Sequence, residues 1–173
     1  MKIRGGSRLV NSLLKQVGAT PVGMPVPAVS EALSKGVLDG TTIPWEVTTA
    51  LKVAELVDNH TEFEGAALYN LTFVLAMNKP RYDSLPDDLK AAIDKNSGLD
   101  FSVFAGGTQA DSDGPAREAA VARGNNIITV SEADAQEWKT VVQPIYDTWI
   151  ADMEKRGLDG QAMIDEARAL MEE

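Results

Sequence analysis

Residues 2–44, KIRGGSRLVNSLLKQVGATPVGMPVPAVSEALSKGVLDGTTIP, decide the fold. Short β-rich segments at 2–4 and 19–24 alternate with stretches in which apolar residues recur at helical spacing, and glycines or prolines stand at the junctions. Ser7 opens the first helix, since its hydroxyl can accept a hydrogen bond from a free backbone N–H. Strands that alternate with helices through short links predict a parallel α/β sheet.

The rest of the chain is predicted to be mainly helical, with two further β-rich segments. Helices are expected at residues 45–57, 101–123, 132–156 and 161–171, and strands at 71–77 and 126–130. Pro144 should kink the helix that contains it, because proline removes a backbone hydrogen bond.

Length and composition exclude several classes of protein. The chain has 173 residues, 44% of them hydrophobic, which is enough for a sizeable core. Its 26 acidic and 16 basic residues give a formal net charge of −10. A chain this acidic is a poor partner for nucleic acids and for anionic membrane surfaces. Because it has no cysteine, disulfides, thiol nucleophiles and Cys-ligated metal centres are excluded.

The single histidine makes an enzyme a weak hypothesis. His60 is the one imidazole available as a base, and most hydrolytic sites need such a base beside a nucleophile. A loop or surface position is favoured for His60, and a small α/β hydrolase that uses it stays as an alternative. We expect no enzyme activity, no cofactor and no metal site.

The N-terminus and the longest apolar run both argue against membrane insertion. The N-terminus, MKIRGGSRLV, lacks the apolar stretch of a signal peptide. The longest apolar run, residues 65–78, is too short for a membrane-spanning helix.

Two residues stand where an α/β sheet places ligands. Arg4 lies at a predicted strand end, directly before a helix start, where free N–H groups and an Arg fork suit a carboxylate. The alternative is an ordinary surface arginine in an ion pair. Trp45 follows Pro44 at the carboxyl end of a β segment, which is the ligand edge of open α/β sheets. Its alternative is a packing tryptophan.

An ordered set of short motifs carries a resemblance to a known family. The matching segments are Lys2 to Arg4, Val17 to Pro21, Met24, Glu31 to Gly36, Val37 to Pro44, and residues 73–78 and 82–89. Together they resemble the DctP family, the solute-binding proteins of tripartite ATP-independent periplasmic (TRAP) transporters. The ordered matches run from Lys2 to about Ile93.

The resemblance implies a fold. Family members are about twice this length and have two α/β lobes around a cleft, so this chain resembles the C-terminal half. We expect a periplasmic-binding-protein-like (type II) α/β lobe with a parallel or mixed sheet, flanking helices and long C-terminal helices. Residues 1–70 and 110–173 would form the second lobe, and 71–109 would complete a first lobe whose N-terminal part is absent. The latter segment would be mobile, or paired in a homodimer through exposed strand edges.

The resemblance also implies a function and a site. It predicts an extracytoplasmic, periplasmic component that captures an organic acid carboxylate for the membrane subunits of a TRAP transporter. A truncated interaction lobe without ligand binding of its own is the alternative. The implied ligand-binding residues are Arg4, Ser7, Val26, Thr42, Ile43, Trp45 and Asn70. Arg4 would pair with the carboxylate and Ser7 would add a hydrogen bond. The apolar Ile43 suggests a less polar acid than those bound by family members with a polar group near that position.

Overall fold

The computed structural model describes residues 1–65 and 67–171, and the chain divides into two compact units. Unit 1 consists of the described parts of residues 1–42, 61–66 and 128–173. Unit 2 consists of the described parts of residues 43–60 and 67–127. These boundaries differ from the predicted lobe ranges, since residues 43–60 and 110–127 fall in the same unit as 71–109. The assignment of ranges to two lobes stays a prediction.

A small parallel sheet lies at the start of unit 1. Strands β1 (Lys2–Gly5), β2 (Thr20–Gly23) and β3 (Gly40–Thr41) form it in the order β2-β1-β3. Both neighbours run parallel to β1. The predicted parallel α/β arrangement of residues 2–44 is therefore confirmed.

Two amphipathic helices connect these strands. Helix α1 spans Arg8–Gln16 and helix α2 spans Val29–Ser34. Their buried faces supply most of the core of unit 1: Val10, Leu13, Leu14, Val29, Ala32 and Leu33. Each of the valine and leucine side chains stabilises the fold by roughly 1.5–3 kcal/mol when fully buried. The polypeptide leaves α1 through Gly18, whose φ of 82° is in the left-handed region that glycine adopts readily.

Two long helices complete unit 1. Helix α7 spans Glu132–Glu154 and contains Pro144, and helix α8 spans Gly160–Met171. Ser131 caps α7, because its Oγ accepts a hydrogen bond from the Asp134 N–H at 3.2 Å. Helix α7 packs on both α1 and α8. The predicted long C-terminal helices are present.

Unit 2 is mainly helical. Helix α3 spans Trp45–Ala50, α4 spans Lys79–Asp83, α5 spans Asp87–Lys95 and α6 spans Leu99–Ala122. Helix α3 packs on α6, whose Ala116 and Ala120 are small and buried. The predicted helix over residues 45–57 is too long. It ends at Ala50 because Lys52 adopts a left-handed conformation with φ 54°, and a short 3-10 turn, Val53–Glu55, follows.

A strand pair passes through both units. Strands β4 (Asn59–Phe63) and β5 (Asn126–Val130) pair with each other. The unit boundary falls after His60 in β4 and after Ile127 in β5. The predicted strand at 126–130 is therefore confirmed.

The predicted strand at residues 71–77 is wrong for this structure. The segment has no regular secondary structure, and its Phe73, Val74 and Leu75 side chains are 72%, 82% and 82% exposed. No described strand pairs with it. A β-strand needs a neighbour for its backbone N–H and C=O groups, so the apolar sequence alone does not produce one.

None of the helices in the described ranges is long and apolar enough to cross a membrane.

Candidate functional site

Arg4 is a buried cation at the carboxyl-terminal end of β1. Arg4 is only 5% exposed. In the register of the sheet it pairs with Val22 on β2 and with Thr41 on β3. The guanidinium Nε donates a hydrogen bond to the Met24 carbonyl at 3.2 Å, and Nη1 donates to the Thr42 carbonyl at 3.2 Å. The alternative of an exposed surface arginine is therefore wrong.

Among the described residues, the charge of Arg4 is compensated by neutral groups. No carboxylate forms an ion pair with it in the part of the chain that the structure describes. A buried charge is costly unless it is paired, and two neutral carbonyls compensate it only in part. Gly6 leaves space beside the guanidinium, since a Cβ at that position would lie 3.3 Å from Nη1 and 3.6 Å from Nη2. This arrangement suits an incoming anion.

Three other predicted site residues lie in unit 1, and each follows the end of one of the three strands. Ser7 is the N-cap of α1, where its Oγ accepts from the Val10 N–H at 3.2 Å. Its hydroxyl proton is left to donate elsewhere. Thr42 donates both its N–H and its Oγ1–H to the Arg4 carbonyl, at 2.9 and 3.0 Å. Val26 is half-buried and begins a 3-10 turn, Val26–Ala28.

The remaining predicted residues lie in unit 2. Ile43 is half-buried, and Trp45 is half-buried and is the first residue of α3. Asn70 is exposed in irregular backbone. The structure thus shows Arg4 and Thr42 in direct contact, and it shows no such contact for Asn70. The assignment of these seven residues to a ligand site stays a prediction.

A carboxylate from α6 caps the helix that carries Trp45. Pro44 occupies the N-cap position and offers no side-chain hydrogen bond. Asp113 replaces the cap, because its Oδ1 accepts from the Glu46 N–H at 2.9 Å. Burial raises the pKa of the Glu46 carboxyl, and the nearby Asp113 carboxylate raises it further, against the lowering effect of backbone hydrogen bonds. The helix start is thereby fixed by a residue that is distant in sequence.

Sequence reasoning missed several polar groups. His60 lies half-buried in β4 and not in a loop, with its ring centroid 4.9 Å from that of Trp45. Tyr69 Oη and Asn11 Oδ1 are buried without a hydrogen-bond partner in the described parts of the chain. None of these groups had a distinguishing sequence signal, because the ring and amide that contact His60 are distant along the chain and the burial of Tyr69 and Asn11 depends on the fold. In residues 1–65 and 67–171, no cluster of three or more His, Asp or Glu side chains could hold a metal ion.

Comparison with known proteins identifies the family. Residues 1–152 match DctP, described as bacterial extracellular solute-binding protein, family 7. The sequence is 28% identical over 162 residues to the protein named outer membrane transporter protein TsaT from Comamonas testosteroni, covering 92% of this chain and 47% of that protein.

Two solved structures share the backbone of this chain closely. A TRAP solute-binding protein from Rhodoferax ferrireducens T118, in complex with copurified benzoate, is 47% identical with a TM-score of 0.94. The match covers 98% of this chain and 53% of that one. A marine metagenome TRAP solute-binding protein specific for aromatic acid ligands, in complex with 3-hydroxybenzoate, is 41% identical with a TM-score of 0.93, covering 99% and 54%.

These matches show the family of the chain and the share of its relatives' length that it spans. The chain spans about half the length of the curated relatives and solved structures that it matches. The matched family comprises extracellular and periplasmic binding proteins, which are not enzymes. With its family pattern matched over residues 1–152, this chain belongs to the DctP family of bacterial extracellular solute-binding proteins.

Proposed function

We propose that this chain forms part of a TRAP-transporter solute-binding protein and binds the carboxylate of an organic acid through Arg4. The observation that carries the proposal is the buried guanidinium of Arg4, which donates to two carbonyls and forms no ion pair with a carboxylate of residues 1–65 and 67–171. A carboxylate would supply the missing negative charge and accept bidentate hydrogen bonds from the Arg fork. Ser7 would add its free hydroxyl proton, and Thr42 would hold the Arg4 backbone in place.

The ligand that we propose is an aromatic monocarboxylate. The relatives at 47% and 41% identity have benzoate and 3-hydroxybenzoate bound. Three of the predicted site residues in this chain, Val26, Ile43 and Trp45, are apolar or aromatic, so they would favour a ring over a second charged group. Asn70 would add a polar contact. Delivery of the acid to the membrane subunits of a transporter belongs to the same proposal.

A thermal-shift measurement tests this proposal. Benzoate, 3-hydroxybenzoate and malonate are titrated against the chain, the variant Arg4→Lys and the control Arg8→Ala, whose exposed arginine lies on α1. Ligand at about 100 times its Kd should stabilise the chain by about 2.7 kcal/mol. Lys keeps the charge but loses the planar fork, so the shift should vanish in Arg4→Lys and persist in Arg8→Ala. A shift retained in Arg4→Lys would contradict the role of Arg4, and the absence of any shift would contradict binding by this chain.

The lobe assignment is a second proposal. Residues 1–70 and 110–173 would belong to one lobe of the longer fold, and 71–109 to the other. The exposed apolar side chains at 73–75 support it, since they have the composition of a strand that is buried on both faces. Light scattering tests whether this segment pairs with a second copy of the chain. A dimeric mass that becomes monomeric in Val74→Lys would support the lobe assignment and pairing through 71–77, whereas a dimer that persists in Val74→Lys would contradict pairing through this segment.

A further inference from the structure

The only histidine of the chain stacks on the indole of Trp45. The two ring centroids are 4.9 Å apart and the ring planes meet at 30°. This is within the range of about 4.5–7 Å between ring centroids that aromatic pairs prefer. Both residues lie in unit 2, and both are half-buried. The carboxylate-binding role of Arg4 leaves His60 without an assigned function.

Asn125 holds the imidazole through a hydrogen bond. Its Nδ2 donates to the Val57 carbonyl at 3.1 Å, which determines the orientation of the amide. Its Oδ1 therefore faces His60 Nε2, at 3.4 Å, and this contact requires a proton on Nε2. The backbone of Asn125 is held in turn, because its N–H donates to the Ala120 carbonyl at the end of α6.

The backbone of Trp45 is also held, so only its side-chain torsions remain free. Trp45 is the first residue of α3, and Asp113 caps the next N–H, that of Glu46. The Trp45 carbonyl accepts a hydrogen bond from the buried Thr48 Oγ1 at 2.6 Å. With the backbone fixed, the stack with His60 selects the rotamer of the indole.

We propose that His60 and Asn125 are positioning residues, which hold the Trp45 indole as a fixed aromatic surface for the ring of an aromatic acid. The recognition step rests on the function proposed above, whereas the positioning step does not. A side chain that is already immobilised saves ordering entropy when the ligand binds. His60 would thus act on affinity without touching the carboxylate.

The test uses fluorescence from Trp45 alone. The protein has three tryptophans, and Trp138→Phe with Trp149→Phe leaves Trp45 as the single emitter. Time-resolved anisotropy should show no sub-nanosecond rotation of Trp45 in this background. His60→Ala should introduce such rotation, and His60→Phe should suppress it again because a ring is restored. Asn125→Ala should also introduce it. Asn126→Ala is the matched control, since the neighbouring Asn126 bonds to Asn59 and not to His60.

Each outcome decides the proposal. Sub-nanosecond rotation in His60→Ala and Asn125→Ala, but not in His60→Phe or Asn126→Ala, supports it. Unchanged anisotropy in both Ala variants, with far-UV circular dichroism intact, overturns it. If His60→Ala does not fold, the pair Asn125→Ala and Asn126→Ala gives the same answer. Benzoate affinity should weaken by about threefold to tenfold in His60→Ala, the range expected for immobilising one side chain. If the parent protein does not bind benzoate, the proposed function fails while the anisotropy result still stands.

Discussion

Replacing Gly5 with alanine should destabilise unit 1 through one steric conflict. Gly5 ends β1 and pairs in register with Gly23 of β2. The space for a Cβ at Gly5 is occupied by the amide of Asn11, whose Oδ1 overlaps that position and whose Cγ would lie 3.1 Å from it. The Leu14 Cδ1 methyl would lie 3.2 Å away. The backbone of Gly5 has no positive φ, so the cost is steric and not conformational.

The size of the effect follows from the contacts. Overpacking a well-packed site costs about 1–3 kcal/mol. Alanine recovers about 0.4–1 kcal/mol, because it restricts the unfolded chain more than glycine does. We expect a net loss of about 1–2 kcal/mol in the free energy of unfolding. Asn11→Ala removes the obstructing amide, whose Oδ1 has no hydrogen-bond partner among the described residues. The double variant should therefore recover most of the loss.

Urea denaturation, followed by Trp fluorescence, measures the free energy of unfolding of each variant, since Trp138 and Trp149 lie in unit 1. The four proteins of the double-mutant cycle should give a coupling of about 1 kcal/mol. Gly106→Ala is the control, because no atom lies within 4 Å of its Cβ position in α6, and it should not be destabilising. If Gly5→Ala unfolds at the urea concentration of the wild type, or if Asn11→Ala fails to restore it, the steric explanation is wrong.

Three further substitutions test separate parts of the structure. Burial and Asp113 raise the pKa of Glu46 above its ordinary value of 4.5, so the charged form opposes folding and stability should fall as the pH rises through 4.5. Glu46→Gln should flatten that fall and be at least as stable as wild type at pH 7 in urea titrations; a less stable variant at pH 7 would contradict this. Gly160→Ala places a Cβ 2.9 Å from the Ile150 Cα, and calorimetry should show a loss of about 1–3 kcal/mol; an unchanged Tm would show that α8 shifts freely. Ser131→Ala removes the cap of α7 and should cost about 1 kcal/mol in urea, whereas Ser131→Asp should not.

The parallel sheet and its helices could be predicted because their signals are local. Alternating strand and helix patterns, Ser7 as a cap and glycines at helix ends are all contained in residues 2–44. The early end of α3 was missed because Lys52 takes a left-handed conformation, which its residue type does not predict. The strand at 71–77 was predicted from its composition, but pairing requires a partner strand that the sequence of the segment does not specify.

The candidate site was predictable only in part. Arg4 was found because a strand end, a glycine turn and a helix start are adjacent in sequence. Its carbonyl partners were not found, since Met24 and Thr42 are 20 and 38 residues away. The contact of His60 with Asn125 spans 65 residues. Backbone acceptors and distant amides carry no sequence signal, so the environment of each candidate residue required the structure.

The two hydrogen bonds of Arg4 give its side chain a role in folding beside its proposed role in binding. By donating to carbonyls that follow β2 and β3, the guanidinium ties the two outer strands to the central one at the edge where their carboxyl ends meet. Because these acceptors are neutral, the tie leaves the positive charge available for a ligand. A carboxylate that bound there would stabilise the same three strand ends. The proposed binding would therefore couple ligand affinity to the stability of the sheet edge through one side chain, which a lysine could not replace since it lacks the fork that reaches both carbonyls.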